Sequence, residues 1–272
     1  KGSGLSSSAA LEVVTAYTLA ALNQLNIQAV EMALLCQRAE NDFVGVNCGI
    51  MDQYISRLGK KGSALMIDCR SNEYEVVPFS SNNYQIVICN SNVERGLVDS
   101  EYNKRRKECE KAADFFAERV NHRVKALRDI TPEELEEYSE GLAEITYRRA
   151  RHVVTENKRV LIAVSALKND DLNTFGKLMT ESHYSLCDDY EVSCEELDIL
   201  VELALEQEGV LGARMTGAGF GGCTVNLVHK DTVDDFIRRI KEGYKKKTGI
   251  ETDVYVSTPS DGARQIHSER RG

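Results

Sequence analysis

The chain has 272 residues, 42% of them hydrophobic and 28% charged, which excludes disorder, a collagen-like repeat and a disulfide mini-scaffold, and suffices to bury the core of about two domains. Its net charge of −9 argues against nucleic acid or anionic lipid as a partner, though a local loop can still bind phosphate. No apolar run approaches the roughly 18 residues of a membrane span, no targeting segment is visible, and eight cysteines without a C-x-x-C pair read as reduced, mostly buried thiols in a cytoplasmic protein.

Lys1-Gly2-Ser3-Gly4-Leu5-Ser6-Ser7-Ser8 is a glycine–serine loop. From Ala9 to about Leu25 a helix follows that is apolar nearly all round (Leu11, Val13, Val14, Leu19, Ala20, Leu22), the pattern of a buried helix. Asn26 can cap a second helix reaching Ala39; residues 40–47 read as a loop, and 52–58 as a short helix that Gly59 can end. The period then changes, and residues 64–69, 74–79 and 84–89 read as strands. From residue 100 to about 207 the chain is mostly helical. Thr131-Pro132-Glu133-Glu134 carries an N-cap, a first-turn proline and a capping-box glutamate, and Ser193-Cys194-Glu195-Glu196 repeats the capping pattern. Residues 210–215 and 223–228 read as strands, 232–247 as a helix and 253–257 as a last strand. The change from strands to long helices places the domain boundary near residue 95, dividing 1–95 from 96–272.

Three segments could carry chemistry. In the opening loop, glycines let backbone approach a ligand, a helix start suits phosphate, and the Ser6 and Ser7 hydroxyls can bond phosphate oxygens or magnesium. The P-loop lysine is missing, so the other reading is a serine-capped helix. Asp52, in Cys48-Gly49-Ile50-Met51-Asp52-Gln53, is either an acid favoured at a helix start or a catalytic group. Gly217-Ala218-Gly219-Phe220-Gly221-Gly222 matches G-x-G-x-x-G, but a strand follows where a dinucleotide site needs a helix. Its glycines suggest backbone passing close to a ligand, against an ordinary flexible loop. The scattered histidines lack zinc spacing, and Lys104-Arg105-Arg106-Lys107 reads as a solvated helix face.

Together these segments resemble the galactokinase branch of the GHMP kinases, a small-molecule kinase family. Residues 2–10 are similar to its phosphate-binding motif, 212–223 to its C-terminal glycine motif and 48–53 to the segment holding the catalytic acid. Residues 182–194 and 258–263 resemble two further stretches, in the expected order along the whole chain. The family opens with strands and a Gly-Glu-His-Thr-Asp-type motif that supplies sugar contacts and a basic partner for the acid. This chain begins inside the phosphate loop, and the expectation is that it lacks that segment.

The resemblance implies an α+β, two-domain fold, ribosomal-protein-S5-domain-2-like in its N-terminal part and ferredoxin-like in its C-terminal part. It implies transfer of the ATP γ-phosphate to the C1 hydroxyl of galactose, with ATP and Mg2+ as cofactors and a monomeric enzyme. Gly2, Ser3, Gly4, Leu5, Ser6, Ser7, Ser8 and Ala9 would bind the nucleotide phosphates. Ser7 and Glu40 would be the metal ligands, Asp52 would orient the sugar hydroxyl and accept its proton, and Gly49, Asp52, Tyr102, Gly217 and Gly219 would meet the sugar. Three alternatives stand beside this: a kinase for N-acetylgalactosamine or arabinose, a sugar- and ATP-binding sensor without catalysis, and a structural fragment without a ligand.

Overall fold

The computed structural model describes residues 6–45, 48–79, 83–93 and 98–266. The chain divides into two units, Lys1–Ser81 with Thr258–Gly272, and Asn82–Ser257. Among the described residues no helix is long and apolar enough to cross a membrane.

In the first unit, α1 (Ser7–Leu22), α2 (Ala29–Ala39) and α3 (Met51–Leu58) pack together and lead into an antiparallel pair, β1 (Ser63–Asp68) and β2 (Glu73–Pro78). Val13 and Ala20 of α1 meet Met32 and Cys36 of α2, while Ala33, Ile50 and Tyr54 form a second cluster. The Tyr54 hydroxyl donates to the Asn72 carbonyl, tying α3 to the β1–β2 turn. Residues 258–266 lie along α3: Ala263 N–H donates to the Ser56 carbonyl and Gly262 N–H to that of Gly59.

The expectation that α1 is buried on all sides is corrected. Leu11 is 67% exposed and Leu22 75%, with Val14 and Leu19 also exposed. Among the described residues α2, α3 and the segment around Ala263 and Gln265 pack on α1, which covers one side of it. Residues 40–44, expected as a loop, form a π-helical turn closed by Gly45 N–H on the Glu40 carbonyl.

The second unit holds β3 (Tyr84–Asn90), α4 (Val98–Ala117), α5 (Pro132–Tyr138), α6 (Glu144–Lys168), α7 (Leu172–Tyr184), α8 (Glu195–Leu205), β4 (Val210–Thr216), β5 (Cys223–His229), α9 (Val233–Thr248) and β6 (Asp253–Ser257). Its sheet is antiparallel in the order β4-β5-β3-β6. Strand, helices, strand, strand, helix, strand in this order is the ferredoxin-like arrangement. Val87, Cys89, Ala213 and Val228 of the sheet bury against Leu200, Val201, Phe236, Ile240 and Tyr244. The helices α4, α5 and α6 have their own core around Phe116, Leu135, Ala150 and Val154.

This topology moves the seam. A boundary near residue 95 leaves β3 with the first unit, yet β3 hydrogen-bonds to β5 and β6 over its length, so the division falls before it. The Thr131 capping box forms, its hydroxyl accepting from Glu134 N–H and Glu134 accepting from Thr131 N–H. The one expected at Ser193 does not: Cys194 is the N-cap of α8, and the Ser193 hydroxyl donates to Asp198. Nor is every cysteine deeply buried. All eight are free thiols, but Cys69 is exposed and Cys48, Cys109, Cys187 and Cys194 are half-buried.

Candidate active site

α1 starts at Ser7, with Ser6 before it in a left-handed conformation (φ 55°, ψ 37°) that a non-glycine residue rarely adopts. Gly2, Ser3, Gly4 and Leu5 lie outside the described residues. Ser7 and Ser8 are both exposed and Ala9 is buried. The hydroxyl of Ser8 donates to Glu40 Oε1 at 3.0 Å. The hydroxyl that reaches Glu40 is that of Ser8, whereas the resemblance implies Ser7 as the hydroxyl ligand of the metal. Glu12 follows Ser8 by one helical turn on the same face of α1, a spacing legible in the sequence.

Glu40 stands at the junction of α2 and the π-helical turn, and π-helical turns concentrate at functional sites. Its second oxygen, Oε2, accepts from Gln53 Nε2 at 2.8 Å and from the Cys48 thiol at 3.5 Å. The same Gln53 nitrogen lies 3.4 Å from Glu12 Oε2. Burial, and then the Glu40 charge, raise the Glu12 carboxyl and the Cys48 thiol above their ordinary values, partly offset in each by Gln53. Among the described residues neither Glu12 nor Glu40 pairs with a basic side chain. Two carboxylates thus lie beside a serine hydroxyl with no basic partner among the described residues. Hard oxygen donors with unbalanced charge suit Mg2+, which takes few protein ligands and keeps several waters. The Ser8–Glu40 pair fits such an ion.

Asp52 sits in the first turn of α3, half-buried, and immediately precedes Gln53. Since Gln53 reaches Glu40, and Glu40 reaches Ser8, the start of α3 and the start of α1 meet at one place. Among the described residues no side chain bonds to Asp52, so its carboxylate is available. Gly49, just before this turn, is exposed, with open space where a side chain would lie.

Tyr102, Gly217 and Gly219 belong to the second unit. Tyr102 is on α4, and the glycine segment joins β4 to β5. Gly217, Gly219, Gly221 and Gly222 all have positive φ. Gly219 has a structural reason for its identity: an added Cβ would come 2.0 Å from the Val192 carbonyl oxygen, which also accepts from Phe220 N–H at 2.8 Å. The expectation there is backbone passing close to a ligand; the group that Gly219 approaches in the structure is the Val192 backbone.

The segment around Val192 is braced by arginines. Arg105 of α4 gives Nε to the Tyr190 carbonyl at 2.6 Å and Nη2 to that of Glu191 at 2.9 Å. Arg149 of α6 donates to the Asp189 carbonyl and to Glu191 Oε2, both at 2.5 Å, and Arg148 to the Asp188 carbonyl at 2.9 Å. The bond from Arg149 to the Glu191 carboxylate, together with one from Arg148, holds that carboxyl below its ordinary value against its burial. The reading of residues 104–107 as a solvated face is therefore corrected for Arg105, which is 5% exposed. Glu101 and Glu108, one turn to either side of it, were the signal in the sequence. His183 is buried; it lies 3.4 Å from Asp198 and accepts from Met215 N–H.

Comparison with known proteins bears on this arrangement. Residues 1–60 match the family model of the GHMP kinases N terminal domain, and residues 163–246 that of the GHMP kinases C terminal. The fold is similar to that of L. major mevalonate kinase, with a TM-score of 0.61 at 20% identity over 94% of this chain and 67% of that one. A stronger likeness is to the crystal structure of Lactococcus lactis galactokinase complexed with galactose, with a TM-score of 0.92 at 41% identity, covering 98% of this chain and 68% of that one. Curated galactokinases are similar along the sequence: that of Clostridium acetobutylicum is 52% identical over 98% of this chain and 68% of its own length. That of Fusobacterium nucleatum is 50% identical over 97% and 68%. The chain belongs to the GHMP kinases, and within them to the galactokinase family.

Proposed function

We propose that this chain transfers the γ-phosphate of ATP to the C1 hydroxyl of galactose, giving galactose 1-phosphate and ADP. The observation that carries the reading is the Ser8–Glu40 pair, a hydroxyl and a carboxylate 3.0 Å apart beside the turn that bears Asp52. The galactokinase relatives, half identical along nearly the whole chain, support the choice of sugar and reaction.

Residues 2–9 would surround the phosphates of ATP with main-chain N–H groups and serine hydroxyls at the start of α1, where the helix dipole favours an anion. Ser8 and Glu40 would hold Mg2+, whose charge offsets that of the transferring phosphoryl group. Asp52 orients the sugar hydroxyl and accepts its proton as the oxygen bonds to the γ-phosphorus and the bond to the departing ADP oxygen breaks. Gly49 leaves room for the sugar next to Asp52. Tyr102, Gly217 and Gly219 are the further sugar-binding candidates that the family likeness implies, and the Val192 backbone packs directly against Gly219.

The test is Asp52→Asn in the intact enzyme. Loss of a positioned proton acceptor lowers turnover about 10²- to 10⁴-fold, while binding of a fluorescent ATP analogue stays at the wild-type level. Near-normal kcat in this variant would remove Asp52 from the chemistry.

A further inference from the structure

Gln53 lies on the inward side of the first turn of α3, with 1% of its surface exposed. A buried amide carries both donors and an acceptor, and native structures nearly always satisfy both. Here the donor alone is met. Nε2 reaches Glu40 Oε2 at 2.8 Å and Glu12 Oε2 at 3.4 Å, while Oε1 is buried with no partner among the described residues. Turning the amide over would set its oxygen against two carboxylates with no proton to give. A side chain of similar volume without polar atoms, such as methionine, would fill the same space and leave no orphan acceptor. Packing therefore does not account for the amide; its bond to Glu40 does.

That bond sorts the two oxygens of Glu40. Oε2 is engaged by Gln53 and Cys48, and Oε1 is turned to the Ser8 hydroxyl at the start of α1. Groups that hold a metal ligand in one orientation also set its affinity. We infer that Gln53, on the turn that also carries Asp52, is a positioning residue for the divalent cation: its N–H fixes Glu40 so that Oε1 is presented beside Ser8. The inference rests on the reading of Ser8 and Glu40 as cation ligands.

The experiment follows Mn2+ binding by this chain in the presence of ATP, using the electron paramagnetic resonance signal of free Mn2+. Ser8→Ala and Glu40→Gln serve as reference variants. Gln53→Met is expected to weaken Mn2+ binding about tenfold or more, with far-ultraviolet circular dichroism and cation-free unfolding temperature unchanged and the galactose KM at saturating Mn2+ kept. If Gln53→Met does not fold, Gln53→Asn takes its place, since it keeps the amide but falls one methylene short of Glu40; the same loss is expected. Wild-type Mn2+ affinity in the Gln53 variant, with affinity lost in Ser8→Ala, overturns the role of Gln53 and leaves the proposed function standing. Unchanged affinity in Ser8→Ala and Glu40→Gln as well overturns the cation site itself.

Discussion

Ser8 and Glu40, 32 positions apart in the chain, meet through a hydrogen bond of 3.0 Å. The bond joins the start of α1 to the end of α2 and singles out one hydroxyl from a run of three serines. Ser6 is spent on the left-handed turn before the helix. Ser7 is exposed, and among the described residues no side chain bonds to it. Ser8→Ala should therefore raise the Mg2+ concentration for half-maximal turnover by at least about tenfold, the scale on which support of a metal ligand acts. Ser7→Ala should raise it less. A Mg2+ titration of both variants checks this, and equal shifts, or a larger one for Ser7→Ala, would return the metal hydroxyl to Ser7.

Gly219 and Val192 make a second specific contact. With φ at +86° and the Val192 carbonyl oxygen 2.0 Å from where a Cβ would lie, alanine at 219 needs both a rare backbone conformation and a displaced neighbour. Strain of this kind costs about 1–3 kcal/mol. Gly219→Ala should lower stability by about that amount in urea unfolding. Because the shift falls in the glycine segment, the galactose KM should rise more than kcat falls. A variant as stable as wild type would show that the segment adapts freely and that Val192 does not fix it.

What the sequence disclosed divides along the length scale of the interactions. Strand periodicity, the Thr131 capping box and the helix over 52–58 are local, and the structure agrees with them to within a residue or two. The domain boundary was not local. β3 looks like the third of three consecutive strands, and only its pairing with β5 and β6, through contacts such as Asn226 Nδ2 on the Val87 carbonyl, assigns it to the second unit. The same holds within the site. Asp52 and Glu40 could be taken from motifs, but choosing Ser8 over Ser7 requires knowing where Glu40 lies in space. Arg105 reads as one charge in a basic run until the carbonyls of Tyr190 and Glu191 are brought to it. An apolar surface such as that of α1 declares a preference for burial, but does not say which of its sides is buried in the fold.

His152 supplies a pH-dependent test of the second unit. It is 6% exposed, with Nδ1 2.9 Å from the Ser185 hydroxyl and its ring 4.6 Å from that of Tyr190. Burial holds the imidazole down to about 4, against 6.5 in the unfolded chain. Between those values the unfolded state takes up a proton that the folded state does not. The sign follows: stability is fully present above pH 6.5 and falls as the pH drops toward 4. A displacement of this size corresponds to roughly 2–4 kcal/mol over the whole window. Urea midpoints measured at pH 7, 6 and 5 should decline for the wild type, and decline less for His152→Gln, whose amide has no proton to gain. Equal slopes for the two proteins would mean that His152 is charged in the folded state, and that the Ser185 contact is made by an imidazolium.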